Sequence, residues 1–450
     1  MLNLGDVILL AKALERLDAG FGNLPERTAR TENVSRLEGV LVAVADRLQD
    51  NFPYFHPLYA GQMLKPPHPV ARLAYALAMY INPNNHALDG GRATSAMEKE
   101  SVAEIAAMFG WKEFLGHLCG GGTMANLEAL WVAGQLHSGK KIIASEQAHY
   151  THHRISSVLK LEFEAIRCDD TGRMDLDALE SRLKLGDVGT VVATLGTTAT
   201  GSVDPLADIL GLRERYNFRV HVDAAYGGYF KLVSNLAAAA KRAFDCVADA
   251  DSIVVDPHKH GLQPYGCGCV LFRDPGIGKF YKHESPYTYF SSAELHLGEI
   301  SLECSRPGAA AAALWATQKL LPLVPDGEFA EGLRAGREAA LQLFARLRDS
   351  KLFVSAFEPE LDILVFLPIE GSLAAASQRS RRIFDAAADR SLHLAVAELP
   401  ARFWKETLAT HAASQPTVSC LRSVLMKPEH RDWVPKIFEL LASAHQDTQS

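Results

Sequence analysis

The sequence predicts an α/β protein with a large, mostly parallel sheet, a helical segment before it and a small α+β domain after it. Three observations lead there. Short apolar runs at 141–145, 161–167, 188–195, 218–222 and 252–255 alternate with helical stretches at 175–185, 205–216 and 232–244, the rhythm of strand–helix–strand crossovers. Two of the strands lead into an acid, Asp223 and Asp256, and ligands of such sheets bind beyond the carboxyl ends of the strands. The 450 residues are 48% hydrophobic and 22% charged, the balance of a globular enzyme rather than of a disordered chain.

Residues 1–85 read as a helical segment and an arm. The first twenty place Asp6, Lys12, Glu15 and Arg16 among apolar residues at helical spacing, an amphipathic helix rather than a signal peptide. Residues 51–69 combine prolines and aromatics in an extended connector, in which Tyr54, His56 and Tyr59 are candidates to wall an active site. A helix over 70–80 stops at Asn82-Pro83-Asn84-Asn85.

The large domain is expected over 86–322. After a helix at 98–109, Gly120, Gly121 and Gly122 precede a second helix whose apolar face carries Leu127, Leu130 and Trp131, with Thr123 as the expected N-cap. Glycines there let backbone amides approach a phosphate, and the helix dipole adds attraction. The stretch lacks both the GxGxxG fingerprint and the P-loop lysine, so taken singly it is a weak signal. His149, His152 and His153 cluster after a strand, yet no acid stands at zincin spacing and a metal site is not expected. Residues 267–272 form a return strand, and 281–297 are an aromatic, polar loop. A helix then resumes at 305–321 with Arg306 at its mouth.

Composition breaks at 322–327, and the small domain is expected over 323–450. It holds a long helix at 328–348, two strands about Glu358-Pro359-Glu360, a helix at 377–389, a strand at 392–399 and a closing helix at 434–444. The net charge of −7 offers no basic surface for nucleic acid, and no run approaches the ~20 apolar residues of a membrane span. Seven scattered cysteines without a disulfide framework imply a reducing, cytoplasmic setting.

A phosphate cradle, a strand-end Asp, a nearby Lys and an aromatic His fit one cofactor, pyridoxal 5′-phosphate. A lysine amine condenses with its aldehyde, an aspartate pairs with its ring nitrogen and keeps that nitrogen protonated, and its phosphate suits a helix N-terminus. In GGTMANLEAL, SEQAHY, ATLGTTATGSVDPL, HVDAAYGG and ADSIVVDPHKHG the chain resembles the group II pyridoxal-phosphate-dependent amino acid decarboxylases. The resemblance implies the aspartate aminotransferase-type fold (fold type I) and a homodimer with the cofactor near the subunit interface.

It also implies roles, residue by residue. Lys259 becomes the lysine linked to the cofactor, with His258 near the phosphate. Asp223 becomes the ring-nitrogen partner, His149 and Ala225 flank the ring, and Gly122 and Thr123 hold the phosphate. Thr197 approaches the ring hydroxyl, Arg306 holds the substrate carboxylate, and Tyr287, with Tyr289 two residues on, protonates the product carbon. Cys119 and Gly120 stand where the family often has a hydroxyl, and Met124 where it commonly has an acid. The implied reaction is decarboxylation of an aromatic or acidic L-amino acid to its amine. A carbon–carbon lyase of the sphingosine-phosphate lyase type and an oxidative deaminase or aminotransferase are the alternatives on the same fold.

Overall fold

A computed structural model describes residues 4–25, 33–282, 296–404 and 416–448. The N-terminal segment holds α1 (Leu4–Ala19), α2 (Val34–Leu48) and α3 (Pro69–Met79), and α4 (Leu88–Met108) leads into the large sheet. That sheet begins with β1 (Leu115–Cys119), which is followed by α5 (Gly122–Leu136), β2 (Lys141–Ser145), α6 (Thr151–Leu159) and β3 (Phe163–Ile166). Then come α7 (Leu176–Leu183), β4 (Val188–Thr194), α8 (Leu206–Tyr216), β5 (Arg219–Asp223), α9 (Ala238–Asp245), β6 (Ser252–Val255) and β7 (Gly268–Phe272).

The seven strands lie in the order β1-β7-β6-β5-β4-β2-β3. From β6 to β3 all pairs are parallel, and β7 runs against both β6 and β1. β1 therefore points the same way as β6, so Cys119 and the start of α5 open onto the same edge as Asp223 and Asp256. Helices on both faces explain why β4 reads as an unbroken apolar run: all seven of its residues are buried.

Beyond α10 (Gly278–Tyr281), α11 (Gly308–Leu320) packs against α3 and α4. The 23-residue α12 (Glu328–Ser350) then leads to β8 (Phe353–Ser355), β9 (Ile363–Pro368), α13 (Leu373–Ala388), β10 (Ala395–Pro400), β11 (Thr417–Val424) and α14 (His430–Asp447). The four strands form an antiparallel sheet, β10-β11-β9-β8. A separate core, with Leu343, Phe366, Leu421 and Ile437, joins this sheet to its helices.

Tyr54, His56 and Tyr59 of the arm do not line the cavity of their own chain described below. The arm's aromatics are drawn to the small sheet, where His56 meets Trp433 at 5.0 Å, Tyr59 lies 6.1 Å from His393 and the Ala60 N–H bonds the His393 carbonyl. α1 and α2 bury no residue. On α2, Leu37, Val40, Leu41 and Val44 form an exposed apolar stripe at i, i+3, i+4 and i+7 spacing. Among the described residues, no helix is long and apolar enough to cross a membrane.

Candidate active site

A cavity of about 490 Å³ opens at the carboxyl edge of the large sheet, lined from the start of α5, the ends of β4 and β5, and the turn after β6. Asp223, the last residue of β5, is buried there. Its Oδ2 pairs with His152 Nε2 at 2.8 Å and accepts from Asn126 Nδ2 at 3.4 Å, while Oδ1 accepts from the Ala225 N–H at 3.1 Å. Asn126 Oδ1 meets His221 Nε2 at 2.8 Å, and His221 Nδ1 meets Ser252 Oγ at 2.9 Å, so a polar chain ties α5 to β5 and β6. Burial alone would raise the Asp223 pKa. The bonds from His152 and Ala225, with the Lys259 charge, outweigh it and hold the carboxyl well below its usual range. Burial foremost, with the His152 charge next, pushes His221 down to about 3.

Lys259 follows β6, and its Nζ lies 3.1 Å from Asp256 Oδ2. The same carboxylate stands 3.6 Å from His258 Nε2, and His258 Nδ1 is fixed by the Cys267 carbonyl at 2.8 Å. His149 lines the cavity with Nδ1 on Thr151 Oγ1 at 2.8 Å, and burial lowers its pKa.

The N-terminus of α5 comes close to this group because its loop lacks side chains. A Cβ on Gly122 would sit 2.6 Å from Asp256 Oδ2, and Gly121 holds φ +144°, a conformation that favours glycine. The helix starts two residues earlier than expected. Gly121 rather than Thr123 is the N-cap, and with no side-chain acceptor from it the first-turn amides remain available to an anion.

Gly122, Thr123, His149, Asp223, Ala225, His258 and Lys259 all line this cavity. Thr197 does not. Its hydroxyl is buried on Thr200 Oγ1 at 2.7 Å, and Thr194 and Thr198 line the wall instead. Arg306 does not line it either. It lies beneath β1, its Nη1 bonded to Glu98 Oε1 at 2.6 Å and to the Leu118 carbonyl at 2.5 Å, outside the cavity lining. Glu98 is buried too and is held by Asn85 Nδ2 at 2.6 Å, so Nη1 of Arg306 sits in a buried ion pair, while its Nε and Nη2 have no hydrogen-bond partner among the described residues. Arg306→Met should therefore destabilise the fold by about 3 kcal/mol in urea titrations. Tyr287 and Tyr289 lie outside the described residues. No group of three or more His, Cys, Asp or Glu residues placed to hold a metal occurs among the described residues.

The sequence reading passed over Asn126, Thr194, Thr198, Tyr226 and Glu303 and gave the strand-end Asp256 no role, yet all six line the cavity. Asp256 was within reach, since it stands three residues before Lys259 in the same turn. Glu303 was not: its Oε2 accepts the Gly120 N–H at 2.9 Å across 183 residues.

Residues 128–367 match the family model described as the pyridoxal-dependent decarboxylase conserved domain. The chain belongs to the pyridoxal-dependent decarboxylase family. An L-tyrosine decarboxylase of Enterococcus faecium is 29% identical over 402 residues, a match that spans 67% of this chain and 66% of the relative. A probable L-tyrosine/L-aspartate decarboxylase of Methanothermobacter thermautotrophicus is 30% identical over 315 residues, 68% of this chain and 82% of the relative. In fold, the chain is similar to Oryza sativa TDC solved with PLP and tryptamine, with TM-score 0.79, 17% identity and coverage of 100% and 99%. It is likewise similar to mouse CSAD in apo form, with TM-score 0.77, 20% identity and coverage of 95% and 91%.

The residues of this decarboxylase-family chain fit the family's cofactor. A cavity bounded by an uncapped helix N-terminus, an ionised buried carboxylate and a lysine amine supplies an anchor for each of its three functional groups. The clash that a Cβ on Gly122 would meet shows how little room the cradle leaves for anything but backbone at its phosphate end.

Proposed function

We propose that the chain decarboxylates an L-amino acid to the corresponding amine and carbon dioxide with pyridoxal phosphate, and that an aromatic side chain suits its cavity better than an acidic one. The observation that carries the reaction is the placement of Lys259 and Asp223 in one cavity at the mouth of α5. Bound there, pyridoxal phosphate supplies an aldehyde that condenses with amines and a ring that draws electrons from Cα.

The chain's own residues then have separate tasks. Lys259 offers its Nζ at the aldehyde end, with Asp256 holding that atom in place. Asp223, kept ionised, would hold a proton at the ring nitrogen, and His149 and Ala225, which line the same cavity, would flank the ring. For the substrate side chain, Met124, Leu127 and Tyr226 supply apolar surface, whereas the Glu303 carboxylate repels an acid. The names of the relatives, L-tyrosine and L-tyrosine/L-aspartate decarboxylase, are consistent with this range. A screen of the common L-amino acids for carbon dioxide release by the holoenzyme tests the reading. Release from tyrosine, phenylalanine or tryptophan is expected; a keto acid, ammonia or an aldehyde as the main product would overturn it.

The chain is further proposed to work as a homodimer in the cytoplasm. The exposed stripe of α2 supports an interface, and seven free cysteines support a reducing compartment. Leu37→Asp combined with Leu41→Asp is expected to shift the sedimentation coefficient from dimer to monomer.

A further inference from the structure

A second cavity, of about 430 Å³, lies between the arm, the start of α12 and the turn before α14. Its volume falls in the range of small-molecule sites, about 300–1,000 Å³. Four cationic or imidazole groups line it, from different parts of the chain: Lys65, His68, His260 and Lys427. Lys427 is 3% exposed and His260 is 2% exposed. Each ammonium spends one donor on a carbonyl, Lys427 Nζ on Tyr59 at 2.6 Å and Lys65 Nζ on Met426 at 3.4 Å. An ammonium has three donors, so two on each remain.

Neither lysine forms an ion pair among the described residues, and His260 Nδ1 has no hydrogen-bond partner there. Burying a cation without an ion-pair partner is unfavourable, and the charge of Glu429, with Asp362 for Lys65, offsets only part of that cost. Burial accordingly pushes Lys65 down to about 8 and, with the Lys65 charge adding, Lys427 down to about 7. An anion entering the cavity would supply the missing partner.

The mouth carries the opposite sign. Glu328 and Glu429 line it, are exposed, and form no ion pair among the described residues. Phe55, Leu321 and Phe329 provide apolar wall between the two charged zones. A polyanion would be repelled at the entrance, and a cation would be repelled inside. We propose that this cavity binds a zwitterionic amino acid with an apolar side chain, its carboxylate on Lys65 and Lys427 and its ammonium toward Glu328 and Glu429.

Occupancy has a direct route to the first cavity. His260 directly follows Lys259, and its Nε2 stands 3.2 Å from Asp362 Oδ2, near enough for a charge interaction though outside hydrogen-bond geometry. Asp362 Oδ1 accepts the Tyr226 hydroxyl at 2.6 Å, and Tyr226 lines the first cavity. A carboxylate near His260 Nδ1 favours the imidazolium, which draws Asp362 toward His260 and loosens its hold on Tyr226.

The test uses N,N,N-trimethyl-L-phenylalanine as probe, because its quaternary nitrogen cannot condense with an aldehyde. Calorimetric titration of the wild-type holoenzyme should show one site per chain that survives saturation with a substrate amine product. Lys65→Met should weaken it roughly tenfold or more, and Glu429→Gln, an exposed change, several-fold. 3-Phenylpropionate and inorganic phosphate should bind more weakly than the probe, and saturating probe should change KM or kcat without competing with substrate. Equal affinity in wild type, Lys65→Met and Glu429→Gln would overturn the site. Purely competitive inhibition would do the same, as would phosphate binding tighter than the probe. Unchanged KM and kcat at saturation would overturn the coupling.

Discussion

Lys259→Ala is expected to give a folded protein without the visible absorbance of a lysine-linked cofactor and with carbon dioxide release lowered by roughly 10⁴-fold, the scale of losing a covalent catalytic group. Three features of the site support so large an effect. The nearest carboxylate, Asp256, already holds the Nζ of Lys259 at 3.1 Å, so the amine is oriented before any ligand arrives. Among the cavity-lining residues Lys259 is the only amine, so no neighbour can take over. Its loss also leaves Asp256 beside His258 without its closest cation. Spectra recorded with added cofactor, together with single-turnover carbon dioxide release, check the expectation; turnover at the wild-type rate would remove Lys259 from the mechanism.

Asp223→Asn should produce the opposite split, with cofactor retained, stability altered by only about 1 kcal/mol and the rate lowered by roughly 10³-fold. An amide oxygen can still meet His152 Nε2, so the polar chain through Asn126 and His221 persists. It cannot carry the negative charge that keeps a ring nitrogen protonated. The wild-type carboxyl also sets a pH limit. Its folded pKa lies below the unfolded value of about 3.9, so its contribution is complete above about pH 4 and is lost as the pH falls through the depressed folded value. Urea midpoints measured for both proteins from pH 7 down to pH 3 should show wild type losing its advantage over Asp223→Asn only in the acid limb.

Much of this was legible because the strands of a buried parallel sheet announce themselves. β2 and β6 fall where 141–145 and 252–255 were read, and α12 starts where its helix was placed. Two strands escaped for different reasons. β1 is five residues, LGHLC, interrupted by Gly116 and His117, and has neither length nor period to separate it from a loop. β11 follows a stretch rich in polar residues and buries Ser419, Arg422 and Ser423 among its apolar residues, which blurs the alternation.

Within the site, residues named by short-range order reached the cavity, from Asp223 at a strand end to Lys259 after the next strand. Two named residues lie outside the cavity lining, for different reasons. Arg306 is paired with Glu98 across 208 residues, which no local pattern encodes. Thr197 is turned inward by Thr200 and Ser202 within its own turn, a local arrangement that the apolar and polar pattern does not distinguish.

The two anchors of the cofactor extend from adjacent strands, β5 and β6, paired in parallel register with Asp223 opposite Val254. Neighbouring strands are held about 4.8 Å apart by backbone hydrogen bonds. The sheet thus works as a ruler whose divisions no side-chain change can alter. Substrate preference can drift through Glu303, Met124 or the surrounding loops while the distance between the reacting amine and the proton-holding carboxylate stays calibrated by the main chain.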